Sequence, residues 1–338
     1  MVQAARIDVS SPDIARFAVH GGRVDVARAA YPAVADWIDL STGLSPWSYP
    51  ATIEAAALAH LPTPEALATL EASAAAAFGV SASRVVAVPG TDLALRLLGR
   101  MIGGHAIVGG PGYSGHMTMW AGRAISAGFD ALPDAVRSGE TVMVARPNNP
   151  DGQIIDAATL ERIAERDDWL IVDEAFVDAT PEISLAGRDW DSLIVLRSFG
   201  KFYGLAGLRL GFVLAPPMIV LGLRELLGDW PVPGPAIAIG TAAYADRDWA
   251  AMQAARVREG AARLDALLGG AGLGVAGGTA LFRLIETPQR DGLFDHLAQR
   301  GILTRPFADR PHWLRMGLPG TPAAWDRIAS ALNDWSKK

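Results

Sequence analysis

No cysteine occurs anywhere in the sequence. Disulfides, thiolate metal sites and cysteine nucleophiles are therefore excluded. An excess of positive charge is missing too. The net charge is -6 with both signs interspersed, so a grip on nucleic acid or an acidic membrane is not expected. The opening, MVQAARIDVSSPD, has no apolar stretch of signal-peptide length. The most apolar run, GLRLGFVLAPPMIVLGL, carries Arg209 and the pair Pro216 and Pro217, which makes it a poor membrane span. The six histidines show no metal-binding spacing, so no metal is expected. These absences lead to the expectation of a soluble, cytoplasmic protein. Lysine is the scarcest charge. Of 30 Lys and Arg only three are lysines, and two of those, Lys337 and Lys338, end the chain. Lys201 is the one lysine of the interior.

What is present is a folded chain of ordinary greasiness. Half of the residues are hydrophobic, and 338 residues are enough for one large domain and one small one, or for two equal ones. The middle alternates β-rich runs with helical patterns. Strands are predicted at 84–90, 105–110, 123–129, 141–147, 169–176, 192–199 and 210–216. Several are continuous apolar runs, as expected where both faces of a strand are buried. Helical patterns such as TDLALRLLGRMI and DAATLERIAERDD lie between them, the second opening on an N-capping Asp. This alternation predicts an α/β domain with a mostly parallel seven-stranded sheet. Residues 1–50 read as irregular. After Pro216 a helix-rich stretch is followed by GTALFRLIE and HWLRMGLP, two strands each leading into a helix pattern. Three segments are expected: 1–45 joining the small domain and the active site, 46–225 as the large domain, and 226–338 as a small α+β domain.

The stretch RSFGKFYGLAGLRLGF sets Ser198, Lys201 and Arg209 around glycines 200, 204 and 207. Glycine permits close backbone approach to a ligand. A hydroxyl, an amine and a guanidinium at one strand end suit a phosphorylated carbonyl compound: the amine forms a Schiff base, while the other two hold the phosphate. A surface lysine on a loop is the plainer explanation, and the scarcity of lysine argues against it.

SFGKFYGLAGLRLGF resembles the cofactor-lysine motif of the fold-type I, pyridoxal-phosphate-dependent aminotransferases. Other segments match in the family's order. PGTDLAL resembles the turn whose amides bind the cofactor phosphate at a helix N-terminus, which implies Gly90, Thr91 and Asp92. GPGYSGH resembles the segment that stacks an aromatic residue on the cofactor ring, implying Tyr113. RPNNPDG resembles the Asn-Pro-x-Gly motif, implying Asn149 at the ring hydroxyl and at the substrate. IVDEAF resembles the strand end whose Asp pairs with the ring nitrogen, implying Asp173; Glu174 is the adjacent alternative. HWLRMG resembles the strand whose arginine binds the substrate carboxylate, implying Arg315. Singly each has a structural explanation: a capping acid, a packed aromatic, a turn Asn, a rim arginine. Their order around one interior lysine carries the resemblance.

Within the family, HGG at 20–22 and WIDLSTGLSPWSYP at 37–50 resemble the threonine-phosphate decarboxylases of cobalamin biosynthesis, a branch close to histidinol-phosphate aminotransferases. Phe176 fits that branch; aminotransferase relatives often have Tyr there. The branch implies decarboxylation of L-threonine O-3-phosphate to (R)-1-amino-2-propanol O-2-phosphate, a homodimer, and substrate contacts from His20, Gly21, Gly43, Asn149, Arg305 and Arg315. His20 and Arg305 are expected at the substrate phosphate. Two positions depart from the pattern. Ser45 stands where many relatives have Asn. Leu61 stands where many aminotransferases supply a cross-subunit Tyr. Transamination stays open as the alternative, because both reactions use the same lysine, aspartate and arginine. Two other motifs are weaker. Gly110, Gly112 and Gly115 form a G-x-G-x-x-G pattern but lack the acidic strand end of a dinucleotide site. SFGK is formally S-x-x-K, without the K-T-G such enzymes need.

Overall fold

The computed structural model describes residues 14–137, 139–166 and 169–337. The first 13 residues of the expected N-terminal segment, Asp167 and Asp168 at the end of one helix pattern, and Lys338 lie outside the described residues. Two compact units are present. One comprises Leu44–Ala261 with Gly277–Leu281; the other comprises the chain up to Gly43, Ala262–Ala276 and Phe282–Lys338.

The larger unit holds a seven-stranded sheet: β1 Val85–Val88, β2 His105–Gly110, β3 Ala124–Gly128, β4 Glu140–Ala145, β5 Leu170–Asp173, β6 Leu193–Ser198 and β7 Gly211–Leu214, in the order β1-β7-β6-β5-β4-β2-β3. All seven predicted strands are found, one to three residues shorter at some ends. Every residue of β1, β5 and β7 is buried, which is why these strands read as unbroken apolar runs. Six strands run in one direction, and β7 alone runs against them, antiparallel to both its neighbours. The reason is local. Only 12 residues separate Ser198 from Gly211, and these two pair directly, so the chain turns back beside β6 instead of crossing to the far end of the sheet as a parallel return requires. The core above the sheet runs from Val86 and Leu95 through Trp120 and Met143 to Leu223.

Helix Thr91–Ile102 starts immediately after β1. Helix Pro64–Phe78 is capped by the Thr63 hydroxyl, which accepts from Ala66 N, and ends at left-handed Gly79. Helix Gly234–Ala245 packs against it. At their contact a Cβ on Gly240 would meet Leu70 at 2.8 Å and Leu210 at 2.6 Å. This packing keeps Gly234–Ala245 and the first half of the long helix Arg247–Gly270 in the larger unit, so the compact division falls at 261/262 rather than at the compositional break near 225.

In the smaller unit, Phe282–Glu286 and Trp313–Gly317 form an antiparallel pair, and Arg305–Pro306 joins the outer edge of Trp313–Gly317. Strand Gly274–Thr279, too glycine-rich to read as a strand, flanks the other side. Helices Arg290–Ala298 and Pro322–Trp335 follow the two strands as the patterns predict. The N-terminal region is more regular than its composition suggests. It carries helices Ala15–Ala18 and Val24–Ala30, and Ile38–Asp39 pairs in parallel with Ile302–Leu303. No helix among the described residues is long and apolar enough to cross a membrane.

Candidate active site

The carboxyl ends of the parallel strands are where an α/β sheet binds ligands. In the larger unit a cavity of about 200 Å³ lies there, and all nine residues expected at the cofactor line it. Gly90, Thr91 and Asp92 enter from the start of helix Thr91–Ile102, Tyr113 and Asn149 from the loops after β2 and β4, and Asp173 from the end of β5. Ser198, Lys201 and Arg209 come from the end of β6 and the loop toward β7.

One end of the cavity is shaped by backbone. Gly90 has φ +87°, a conformation L side chains rarely adopt, and it hands the chain into a 12-residue helix whose first two residues line the cavity. A Cβ on Gly90 would lie 2.6 Å from Arg209 Nη2. Arg209 itself sits in the left-handed region at φ +53°, a strained setting for arginine, and this turn aims its guanidinium at Gly90. A helix N-terminus, a hydroxyl and a guanidinium thus meet around a space that only glycine leaves open.

At the other end, Asp173 is 8% exposed and held on both oxygens: Ala175 N donates to Oδ1 at 3.0 Å, and His116 Nε2 donates to Oδ2 at 2.9 Å. Tyr113 O–H donates to Asp92 Oδ1 at 3.0 Å, and its ring stands edge-on to His116. Burial, with Asp92 beside it, pushes the Tyr113 phenol up to about 12, so it stays protonated as a donor. The Lys201 amine lies 5.7 Å from the Phe176 ring centroid. Below it, Ser45 N donates to Lys201 O at 2.8 Å. Gln253 Nε2 ties Ser45 Oγ, Trp47 O and Phe202 O together at 2.6, 2.8 and 3.1 Å. Ser45, which departs from the family's Asn, is buried and fully engaged in this brace.

Glu174, the neighbouring acid, does not line the cavity. Its side chain is completely buried on the other side of the strand end, and burial raises its carboxyl despite Arg197 nearby. Leu61 is exposed on a separate apolar groove with Ala57 and Ile237.

Of the six residues expected at the substrate, Asn149 lies in the larger unit; the other five belong to the smaller unit, around its N-terminal segment. Arg305 and Arg315 are paired across adjacent antiparallel strands, which puts their side chains on one face. Arg315 Nη2 donates to Ser41 O at 2.8 Å, and Arg305 Nη2 donates to Val19 O, next to His20, at 3.0 Å. Gly21 packs so closely that a Cβ would meet Ser41 O at 2.5 Å. His20 is exposed, and Gly43 is buried one residue beyond Thr42, whose carbonyl faces Gly317. Burial, then Arg305, pulls the Arg315 guanidinium down to about 9, with Asp39 opposing. Two like charges facing each other on a strand pair destabilise one another, and an anion between them reverses that cost.

A family model for aminotransferase class I and II matches residues 49–332. The chain belongs to that family. The threonine-phosphate decarboxylase of Pseudomonas aeruginosa is 42% identical over 325 residues, 93% of this chain and 96% of that protein. The protein of the same name from a Sinorhizobium species is 40% identical, over 93% and 97%. A solved structure of histidinol-phosphate aminotransferase from Sinorhizobium meliloti in complex with pyridoxal-5'-phosphate superimposes with TM-score 0.77 at 20% identity, covering 93% and 94% of the two chains. Its likeness is one of fold: a mostly parallel seven-stranded sheet with a smaller α+β unit, the fold-type I architecture.

The residues of the cavity fit pyridoxal 5'-phosphate. The glycine-bounded helix start with Arg209 suits a phosphate dianion, the pinned carboxylate of Asp173 suits a protonated ring nitrogen, and the amine of Lys201 suits an aldehyde. The sequence motifs missed His116, which lines the cavity, and Gln253, which braces the turn carrying Lys201. His116 lies three residues past Tyr113 in the same motif, but its partner is 57 positions away and no local pattern names it. His116→Phe is expected to keep the packing against Tyr113 and lose the bond to Asp173. Turnover should fall by roughly tenfold, with the pH dependence of the cofactor's visible absorbance displaced from that of the wild type.

Proposed function

We propose that this chain is a pyridoxal-phosphate-dependent decarboxylase acting on L-threonine O-3-phosphate, with (R)-1-amino-2-propanol O-2-phosphate as product and cobalamin biosynthesis as its setting. The observation that carries the reading is the identity of about two residues in five with two threonine-phosphate decarboxylases, over nearly the whole of each chain. The site residues support it chemically.

When bound, the cofactor supplies an electron sink for the pair released as a bond at the substrate Cα breaks. Gly90, Thr91 and Asp92 offer backbone amides to its phosphate, and Ser198 and Arg209 add a hydroxyl and a guanidinium. Asp173, fixed by His116 and Ala175, holds a proton at the ring nitrogen. Asn149 serves the ring hydroxyl, and Tyr113 covers the ring. Lys201 Nζ would hold the cofactor's aldehyde carbon until the substrate amine takes its place, and the amine so freed would return a proton to Cα where CO₂ has left. Arg315 takes the substrate carboxylate. Arg305 and His20 take its phosphate, a dianion that wants clustered donors, and Gly21 and Gly43 keep the N-terminal segment close to its neighbours. The protein acts in the cytoplasm as a homodimer in this reading.

Decarboxylation and transamination differ in which bond at Cα stands perpendicular to the ring plane, a choice set by how the pocket orients the substrate. The deciding experiment gives cofactor-loaded protein phosphothreonine and measures CO₂, with histidinol phosphate plus 2-oxoglutarate in parallel. CO₂ from the first is expected. Glutamate from the second without CO₂ from the first would replace the decarboxylase reading with the aminotransferase one. Arg305→Gln is expected to raise KM for phosphothreonine by roughly 30-fold or more while changing turnover of unphosphorylated threonine little. Equal effects on both substrates would remove Arg305 from the phosphate.

A further inference from the structure

Directly behind the cavity floor lies a second layer of charge that the chemistry above does not use. Side chains alternate along a strand, so Asp173 and Ser198 face the cavity while their neighbours Glu174 and Arg197 face away from it. Those neighbours meet. Arg197 Nη1 lies 3.6 Å from Glu174 Oε2, and Arg197 Nη2 is ion-paired with Asp178 Oδ1. Both partners of the first pair are buried, at 5% and 0% exposure. The face of the Arg197 guanidinium rests on Phe78, 4.4 Å from the ring centroid.

The same layer clamps the loop that leaves β5. Glu174 accepts from Leu185 N and from the Ser184 hydroxyl, both at 2.6 Å, closing residues 174–185 into a ring of chain. Arg197 grips this loop at Asp178, Arg258 Nη1 donates to Ala179 O at 2.8 Å, and Arg146 donates to Ile183 O and Ile155 O. The clamped loop begins with Ala175, whose amide holds Asp173, and Phe176, whose ring faces the Lys201 amine. Three cavity elements therefore depend on one buried cluster: the carboxylate of Asp173, the ring of Phe176, and the strand end that leads through Ser198 to Lys201.

We infer that Arg197, with Glu174 and Asp178, is a positioning device that fixes Asp173 and Phe176 relative to Lys201, so that its loss disorients the bound cofactor without removing any group that touches it. A buried ion pair is a poor source of stability, since well-packed apolar residues often serve as well. It is a good source of orientation, because a planar guanidinium holds its partners at fixed angles: Arg197 donates to Asp178 and to the Ser184 hydroxyl, with Glu174 at ion-pair distance. The inference rests on the cofactor reading of the site and is indifferent to which substrate is used.

The test compares wild type, Asp178→Asn, Arg197→Lys and Arg197→Met, all loaded with pyridoxal phosphate. The readouts are Tm, borohydride trapping of the label on Lys201, visible circular dichroism per bound cofactor, and steady-state kinetics. Asp178→Asn and Arg197→Lys are expected to trap label on Lys201, lose about half or more of the visible dichroism, and lose roughly 10- to 100-fold in kcat with KM within about threefold. Arg197→Met should show the same changes in larger measure. If it does not fold, the two milder variants decide alone. Dichroism and kcat unchanged in those variants, whether or not Tm falls, would show the cluster to be structural only and overturn the inference; so would an effect confined to KM. Wild-type protein that traps no label on Lys201 would instead overturn the cofactor reading, and the inference with it.

Discussion

Lys201→Ala protein should fold, show no visible absorbance beyond that of free pyridoxal phosphate when mixed with it, and lose catalysis by about 10⁴-fold or more. The size of the loss follows from the two tasks given to one nitrogen: anchoring the cofactor and returning the proton to Cα. No other lysine can substitute, because the remaining two are the last residues of the chain. The fold should survive. Lys201 is only half-buried and lies in a single helical turn, while the turn itself is held through backbone by Ser45 N and by the Gln253 amide at Phe202 O. A Tm close to wild type together with lost absorbance and lost CO₂ release is the expected set. Borohydride reduction and peptide mapping of the wild type should place the label on the peptide containing residue 201. Retention of more than about 1% of wild-type turnover by the alanine variant would show that the amine is not the group that performs the chemistry.

Asp173→Asn carries the second large effect. The substitution preserves shape, and the amide oxygen can still accept from Ala175 N or His116 Nε2. What disappears is the negative charge that keeps a proton on the ring nitrogen, and with it the electron demand of the ring. A fall in kcat of roughly 10³-fold is expected, in the range for removal of a preorganised electrostatic partner. Cofactor binding should weaken far less, because Gly90, Thr91, Ser198 and Arg209 at the phosphate end are untouched. Titration of the visible spectrum separates the two: the variant should bind cofactor yet show a spectrum that no longer responds to pH as the wild type does. A variant that binds poorly but turns over normally once saturated would mean that Asp173 serves affinity alone.

The residues that line the cavity were legible because their chemistry is local. A turn that lets a phosphate approach needs glycine at 90, where φ is +87°, directly ahead of a helix, and that is a short motif. An amine after a strand, with a hydroxyl before it and a guanidinium eight residues on, is another. The seven strands were legible for a similar reason: burial on both faces leaves an apolar run that nothing else in the chain imitates. The glycine-rich strand Gly274–Thr279 left no such trace, since half of its residues lack side chains for a pattern to be read from. Nor could the pairing of Ile38–Asp39 with Ile302–Leu303 be read, because it joins residues 264 apart through backbone alone.

The chain's own order of residues determined the cofactor class: one interior lysine, the hydroxyl and guanidinium near it, and the acid at a strand end are covalent facts that no fold could supply. Tertiary structure decided the rest. It chose Asp173 over Glu174 by turning one toward the cavity and burying the other against Arg197. It gave Asp173 its histidine partner and bound the loop behind it. It also set helix Gly234–Ala245 against Pro64–Phe78 rather than with the strands that follow it. The physical reason is range. Motifs record what a few adjacent residues must do, whereas orientation, burial and charge pairing arise only when distant segments share one interior.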